Sequence, residues 1–365
     1  MNTRTIVVTE IEGMGGAERS ILALSRWLYE HNLTHQLLAY SDRPGMAAHA
    51  QHPLNVVQLQ PPPRITTKIS TLRRYLTQNP SPYHPLASGY QAAMHLTLAR
   101  IRGFHTLMHD TPTLFSQPAG TGSLKQRLNR YVSDRITAHG LHSGGRTIVT
   151  SEFLKADTLR IFNVHADIAR MGGLANPTAF RPRPVTTRLN LFSVSRIEGN
   201  KRIDWILNAL AALESAPTPL SQRIDWRLDL AGKGAQIEAL RQMAATLGIA
   251  HRVTFHGYVS DERLEQLYDQ AHLFLMPALQ GYGIPAIEAL HRGIPVLLHR
   301  ESGVSDILLS TPWAIVMEGN EPAFQPALET AIATVLEGRQ LPHPLPPIPT
   351  EDDWAERVAT LCKWL

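Results

Sequence analysis

Apolar positions along the chain fall into short β-rich runs separated by stretches with helical spacing. Residues 5–9 form such a run, followed by a glycine loop and an amphipathic stretch over 17–29. In that stretch Ile21, Leu24, Trp27 and Leu28 share one helical face. Further strands are predicted at 36–40, 55–59, 104–109, 146–150 and 164–171. The Pro-rich segment 60–85 reads as loop with one short helix around 69–76. Arg181-Pro-Arg-Pro reads as a linker, because paired prolines block both helix and central strand.

Beyond the linker the alternation is cleaner. Strands fit 189–194, 227–231, 253–255, 273–276, 296–299 and 313–316, and helices fit 202–213, 235–247, 261–270, 286–292 and 323–337. Ser260 suits an N-cap, with Asp261 and Glu262 in the first turn. A second Pro-rich connector follows. In the last segment Trp354, Val358, Leu361 and Leu365 share a helical face that should dock. Strand–helix alternation of this kind implies mainly parallel sheets covered on both faces. The expected fold class is α/β: two open Rossmann-like domains and a closing C-terminal helix, with ligand at the carboxyl ends of the strands, in the cleft between domains.

Composition narrows the function. The 365 residues are 43% hydrophobic and 18% charged, enough for real cores, and no run of eighteen apolar residues could form a spanning helix. The N-terminus has no signal-peptide core, so a cytoplasmic location is expected. The single cysteine excludes a disulfide framework and a cysteine-built zinc site. Residues 1–187 hold 20 Lys and Arg against 10 Asp and Glu, the remainder 15 against 21, and 43–109 contain no acidic residue. A half this basic points to an anionic partner such as a membrane surface, a lipid-linked phosphate or an acidic glycan; a solvated basic face without a partner is the plain alternative.

Three local patterns carry candidate chemistry. In Met276-Pro-Ala-Leu-Gln-Gly-Tyr-Gly-Ile-Pro-Ala-Ile-Glu288 a buried strand runs into a Gly-x-Gly turn, and Pro285 opens a helix whose free N–H groups could hold an anion. Glu288 could reach a ligand at that end, or could belong to an ordinary strand–turn–helix junction. Arg196 and Lys201 follow a strand at a spacing that lets both cations meet one diphosphate, and the same pair could simply flank a surface turn. His109, at a predicted strand end, could orient a sugar hydroxyl or be structural. The loops Gly13-Met-Gly-Gly-Ala-Glu-Arg19 and Gly232-Lys-Gly234 lack the third glycine of a dinucleotide fingerprint, and no P-loop is present. No Asp-x-Asp occurs, so no obligatory divalent metal is expected.

In combination these motifs resemble a retaining glycosyltransferase of the GT-B fold, glycosyltransferase family 4. The resemblance is densest over 191–308. Gly15-Gly16-Ala-Glu-Arg resembles the family's donor-contacting glycine loop, and Ser195-Arg-Ile-Glu-Gly-Asn-Lys201 is similar to its diphosphate-binding pair. Thr150-Ser-Glu-Phe-Leu and Asn176-Pro-Thr-Ala-Phe-Arg-Pro resemble the segments closing its first domain. Phe255-His-Gly-Tyr-Val259 resembles the strand and loop beside the nucleotide base, and Ser302-Gly-Val-Ser-Asp306 a loop lining the donor site. The family's hallmark is two glutamates separated by seven residues. Here the second is Glu288, which the resemblance places on the ribose hydroxyls, but the first position is Gln280. An amide cannot carry the negative charge of a carboxylate there.

The resemblance implies an acceptor-binding domain over 1–180, a linker over 181–187, a donor-binding domain over 188–341 and a connector with closing helix over 342–365. It implies retaining transfer from a nucleotide-diphosphate sugar, UDP- or GDP-linked, without a cofactor or metal. The setting would be bacterial cell-surface polysaccharide, lipopolysaccharide or glycolipid assembly. His109, Arg196, Lys201 and Gln280 would serve the reaction. Gly15, Gly16, Arg196, Lys201, Tyr258, Val259, Gln280, Gly281, Tyr282, Gly283, Ile284 and Glu288 would bind the donor. The expected partners are an anionic or lipid-linked glycan acceptor and the inner face of the cell membrane, with no nucleic acid. A catalytically impaired sugar-nucleotide-binding scaffold and a nucleotide-sugar epimerase are the alternatives.

Overall fold

The computed structural model describes residues 2–110, 123–173, 188–215 and 224–365. The chain divides into two compact units, Met1–Ala175 with Pro349–Leu365, and Asn176–Ile348. The linker at 181–187 and the motif beginning at Asn176 lie outside the described residues.

The first unit carries strands β1 (Arg4–Val7), β2 (Glu10–Ile11), β3 (His35–Ala39), β4 (Ser41–Asp42), β5 (Val56–Gln58), β6 (Leu86–Ser88), β7 (His105–Met108), β8 (Thr147–Val149) and β9 (Asp167–Ile168). Its helices are α1 (Gly16–Glu30), α2 (Met46–His49), α3 (Ile65–Gln78), α4 (Tyr90–Leu98), α5 (Leu124–Leu141) and α6 (Glu152–Phe162). Seven strands form one parallel sheet in the order β5-β3-β1-β6-β7-β8-β9, and β2 pairs with β4. Ile21, Leu24, Trp27 and Leu28 of α1 are all buried, as their spacing predicts.

The second unit is more regular. Strands β10 (Leu189–Val194), β11 (Trp226–Ala231), β12 (Val253–Gly257), β13 (Leu273–Met276), β14 (Val296–His299) and β15 (Ala314–Met317) form a parallel sheet ordered β12-β11-β10-β13-β14-β15. Between and after them run α7 (Ile203–Ser215), α8 (Ile237–Thr246), α9 (Asp261–Gln270), α10 (Ile284–His291) and α11 (Phe324–Glu337). Leu191, Leu228, Leu275 and Leu297 from four adjacent strands pack with Ile206, Leu210, Leu328 and Ile332 from α7 and α11. Ser260 caps α9, its hydroxyl accepting from the Arg263 N–H at 3.3 Å.

Several expectations need correction. Segment 60–85 holds a fourteen-residue helix, α3, rather than a short one. Its prolines lie outside the helix at 61–63 and again from Pro80, so they bound it instead of breaking it. Of the strand expected over 164–171, only Asp167–Ile168 pairs, at the sheet edge beside β8. The three-residue β6 was not foreseen, yet Leu86 and Ala87 are fully buried and it joins β1 to β7.

The C-terminal helix α12 (Glu351–Leu361) packs on α1. Trp354 and Val358 are buried as expected, but Leu365 is exposed. The helix ends at Leu361, and Lys363 at φ +54° breaks the spacing, so that Trp364 turns inward instead. The Arg4 guanidinium donates to the Trp364 carbonyl at 2.8 Å and lies 4.1 Å from the Tyr83 ring centroid, tying this helix to the first strand.

Candidate functional site: the carboxyl edge of the second sheet

Chain order reverses between β10 and β13. From β10 the chain moves outward through β11 and β12, then returns on the other side as β13. Loops leaving two such neighbours part and leave a crevice, where open α/β sheets bind ligands. Lys201 follows β10, and Gln280 follows β13. Across this switch point the Lys201 ammonium donates to Gln280 Oε1 at 2.6 Å. Asn200 and Leu279 add two backbone-anchored bonds over the same gap, at 2.8 and 3.1 Å.

Gln280 is held at both ends of its amide. Its Nε2 donates to Ser302 Oγ at 3.1 Å and lies against Met276 Sδ. Ser302 is fully buried and its hydroxyl donates to the Tyr282 carbonyl at 2.8 Å, so its oxygen can only accept from Gln280. The Gly281 and Tyr282 turn is thereby fixed to the loop after β14, and the Gly303 N–H returns a bond to the Gln280 carbonyl at 3.0 Å.

That turn delivers the chain into α10. Gly283 is its N-cap at φ +135°, and a Cβ there would meet Gln280 Nε2 and Met276 Cε at 2.8 Å and Ser302 Oγ at 2.9 Å. Conformation and space both require glycine. With Pro285 in the first turn, the N–H groups of Gly283 and Ile284 point out of the helix start, a ready anion site beside Lys201. Glu288, one turn on, accepts the Tyr268 phenol at 2.7 Å. Burial, reinforced by that carboxylate, raises the Tyr268 phenol well above its ordinary pKa and keeps it a donor, so it fixes the Glu288 side chain.

Arg196 is not drawn into this cluster. It is 65% exposed and paired with Glu198 at 3.3 Å, leaving it on the rim. Beside it sits a group that the sequence reading set aside. The loop Gly232-Lys-Gly234, rejected above as a dinucleotide fingerprint, packs against the Arg196 loop so closely that a Cβ on Gly232 would lie 1.8 Å from the Ser195 carbonyl. Lys233 is thus held next to Arg196, with its ammonium 5.2 Å from the ring centroid of the exposed Tyr258. The signal was available in the two glycines after a strand, read for their backbone approach rather than for a fingerprint. Val259, half-buried, follows on the same edge.

In the first unit Gly15 caps α1 and its N–H donates to Glu18 at 2.9 Å, while Gly16 opens the helix. His109, just past β7, lies 3.4 Å through Nε2 from Ser20 Oγ on α1. Ser20 donates its own proton to the Ala17 carbonyl at 2.7 Å, so Nε2 is the protonated nitrogen. Nδ1 is then an acceptor, buried and without a protein partner among the described residues. Burial lowers the His109 pKa to about 4 and keeps the ring neutral. Among the described residues no group of three His, Cys, Asp or Glu side chains is placed to hold a metal ion.

Two parallel-sheet units with a switch-point crevice and a helix start aimed at anions describe a GT-B-fold protein. Solved structures agree over nearly the whole chain. WaaG, a glycosyltransferase involved in lipopolysaccharide biosynthesis, superposes with a TM-score of 0.69 at 17% identity, covering 98% of this chain and 95% of that one. Anabaena HepE, solved in complex with UDP and glucose, gives 0.70 at 15% identity, covering 99% and 100%. Residues 178–345 match the family described as glycosyl transferases group 1. The O-antigen chain mannosyltransferase B of Escherichia coli is 27% identical over 193 residues, 49% of each chain. The chain thus spans about half the length of the curated relatives it matches.

Proposed function

We propose that the protein is a glycosyltransferase that moves a sugar from a nucleotide-diphosphate sugar to an acceptor hydroxyl with retention of configuration. The observation that carries this reading is the Lys201–Gln280 contact across the switch point, beside the open start of α10. The family match of the second unit supports it. A diphosphate lying there meets the Lys201 ammonium and the N–H groups of Gly283 and Ile284, and Arg196 can exchange Glu198 for the same anion. As the glycosidic bond stretches, negative charge grows on the phosphate oxygens. These donors are then worth more than in the ground state, and no metal is assigned. Gln280 cannot act as a nucleophile, so the acceptor hydroxyl attacks from the leaving-group side. The unpartnered Nδ1 of His109 suits it to accept a hydroxyl of the donor sugar, in an orienting role.

The names of the relatives point to cell-surface polysaccharide or lipopolysaccharide assembly as the setting, and UDP- and GDP-sugars are the donors we propose. The acceptor would be an anionic or lipid-linked glycan, matching the basic first half. The place would be the cytoplasmic face of the membrane; no described helix is long and apolar enough to cross one.

The test is transfer from UDP- and GDP-sugars to a lipid-linked glycan, with the product anomer read by NMR. Arg196→Ala should lower the rate on the order of a hundredfold; a rate within twofold of the parent would remove Arg196 from the mechanism. Interconversion of the nucleotide sugar without acceptor would establish the epimerase instead. An inert protein revived by Gln280→Glu would establish the impaired scaffold.

A further inference from the structure

We propose that the N-terminal half of α5 is a docking element that lies on a bilayer carrying anionic headgroups. The inference deepens the reading of an anionic partner for the first unit and is independent of sugar transfer.

The sequence shows only a basic run here, Lys125, Arg127, Arg130 and Arg135; the structure shows what accompanies it. Residues 123–132 are exposed in every position, while Thr137, Gly140 and Leu141 are buried and anchor the other half of the helix. Gly140 lets α5 approach α4 closely, since a Cβ there would stand 1.8 Å from Thr97 Oγ1. The helix is therefore held by its C-terminal turns and presents its N-terminal turns outward.

Four large apolar side chains occupy that exposed half: Leu124 at 82%, Leu128 at 61%, Tyr131 at 58% and Val132 at 47%. At about 100° per residue they fill one arc of roughly 100°, which is an amphipathic face turned away from the protein core. Scattered single apolar residues at a surface need no explanation, but a stripe at helical spacing on an otherwise exposed helix does. Lys125 and Arg127 fall just outside the two edges of the arc. Arg135 lies within it one turn further on, donating to the Tyr131 hydroxyl at 3.2 Å. The helix has one acidic residue, Asp134, which accepts from Tyr90 at 2.9 Å and lies 3.8 Å from Arg130, off the apolar arc.

An apolar stripe flanked by cations is what an interfacial helix presents to a membrane: the apolar arc enters the headgroup–acyl boundary and the cations meet lipid phosphates. A second copy of the same face would bring Lys125, Arg127 and Arg135 against like charges. The charge therefore favours the bilayer over self-association.

The experiment is flotation of the full chain with vesicles of phosphatidylcholine alone or with roughly a third phosphatidylglycerol, at low and high salt. Leu124→Ser with Leu128→Ser, and separately Lys125→Glu with Arg127→Glu, should each weaken partition onto the anionic vesicles by about tenfold or more. Melting temperature should stay unchanged, because these side chains are exposed. Binding that is equal on neutral and anionic vesicles, or unaffected by either double variant, would overturn the proposal. So would a concentration-dependent dimer abolished by the leucine changes in a protein that ignores vesicles. Nucleoside diphosphate binding measured on the same preparations separates the two readings: its absence with vesicle binding intact counts against the donor site alone.

Discussion

At the scale of single residues, Gln280 is the most informative position. The sequence shows that an amide stands where the resembling family has a carboxylate, but not why the chain keeps it. The structure supplies the reason: one end accepts from Lys201, and the other donates to a serine oxygen that has no proton left to give. A glutamate would satisfy Lys201 and place an acceptor against Ser302. Gln280→Glu should therefore destabilise the second unit by about 1–3 kcal/mol, read as a lower denaturant midpoint, without raising any transfer rate. His109 teaches a related lesson. Its place at a strand end is legible from the pattern, whereas its tautomer depends on Ser20, 89 positions away in the chain. Lys233 escaped notice because its partner, Tyr258, belongs to another strand end.

At the scale of elements, legibility followed burial. In the second unit β10, β13 and β14 coincide with the runs predicted at 189–194, 273–276 and 296–299; β13 and β14 are buried at every position, and a strand covered on both faces reads as a near-continuous apolar run. In the first unit β6 is too short to leave such a run, and α5 turns its apolar side chains outward, where core-seeking periodicity does not look. The junction from β13 to α10 combines both kinds of information. Glycine at 283 is expected for a tight turn, but its crowding by Gln280, Met276 and Ser302 is tertiary. Gly283→Ala combines a disfavoured φ with three contacts under 3.0 Å. It should cost about 1–3 kcal/mol and abolish the stabilisation of the second unit by a nucleoside diphosphate. Thermal melting with and without ligand reads both effects.

At the scale of the molecule, the first unit is both basic and rich in buried imidazoles. His95 and His105 are nearly inaccessible, and burial lowers both to about 4, with smaller repulsion from Lys68 and His84 respectively. Between pH 6.5 and 4 the unfolded chain binds protons at these sites that the folded chain refuses, so stability falls as pH falls through that window. The loss should approach about 3 kcal/mol for each of the two by pH 4. Denaturant midpoints of the first unit at pH 7, 5.5 and 4.5 should decline in that order. A midpoint that is flat across the range, or that rises on acidification, would contradict the burial of these rings.

The second unit holds the central claim, a diphosphate site where the chain reverses between β10 and β13. Thermal melting of the full chain with UDP, GDP and ADP, each at saturating concentration, tests it most directly. Ligand at about a hundred times its dissociation constant stabilises by roughly 2.7 kcal/mol, a shift of several degrees. One diphosphate should produce that shift in the parent and fail to do so in Lys201→Ala. No shift with any of the three, or a shift that Lys201→Ala leaves intact, would mean that this crevice is not where a nucleotide binds.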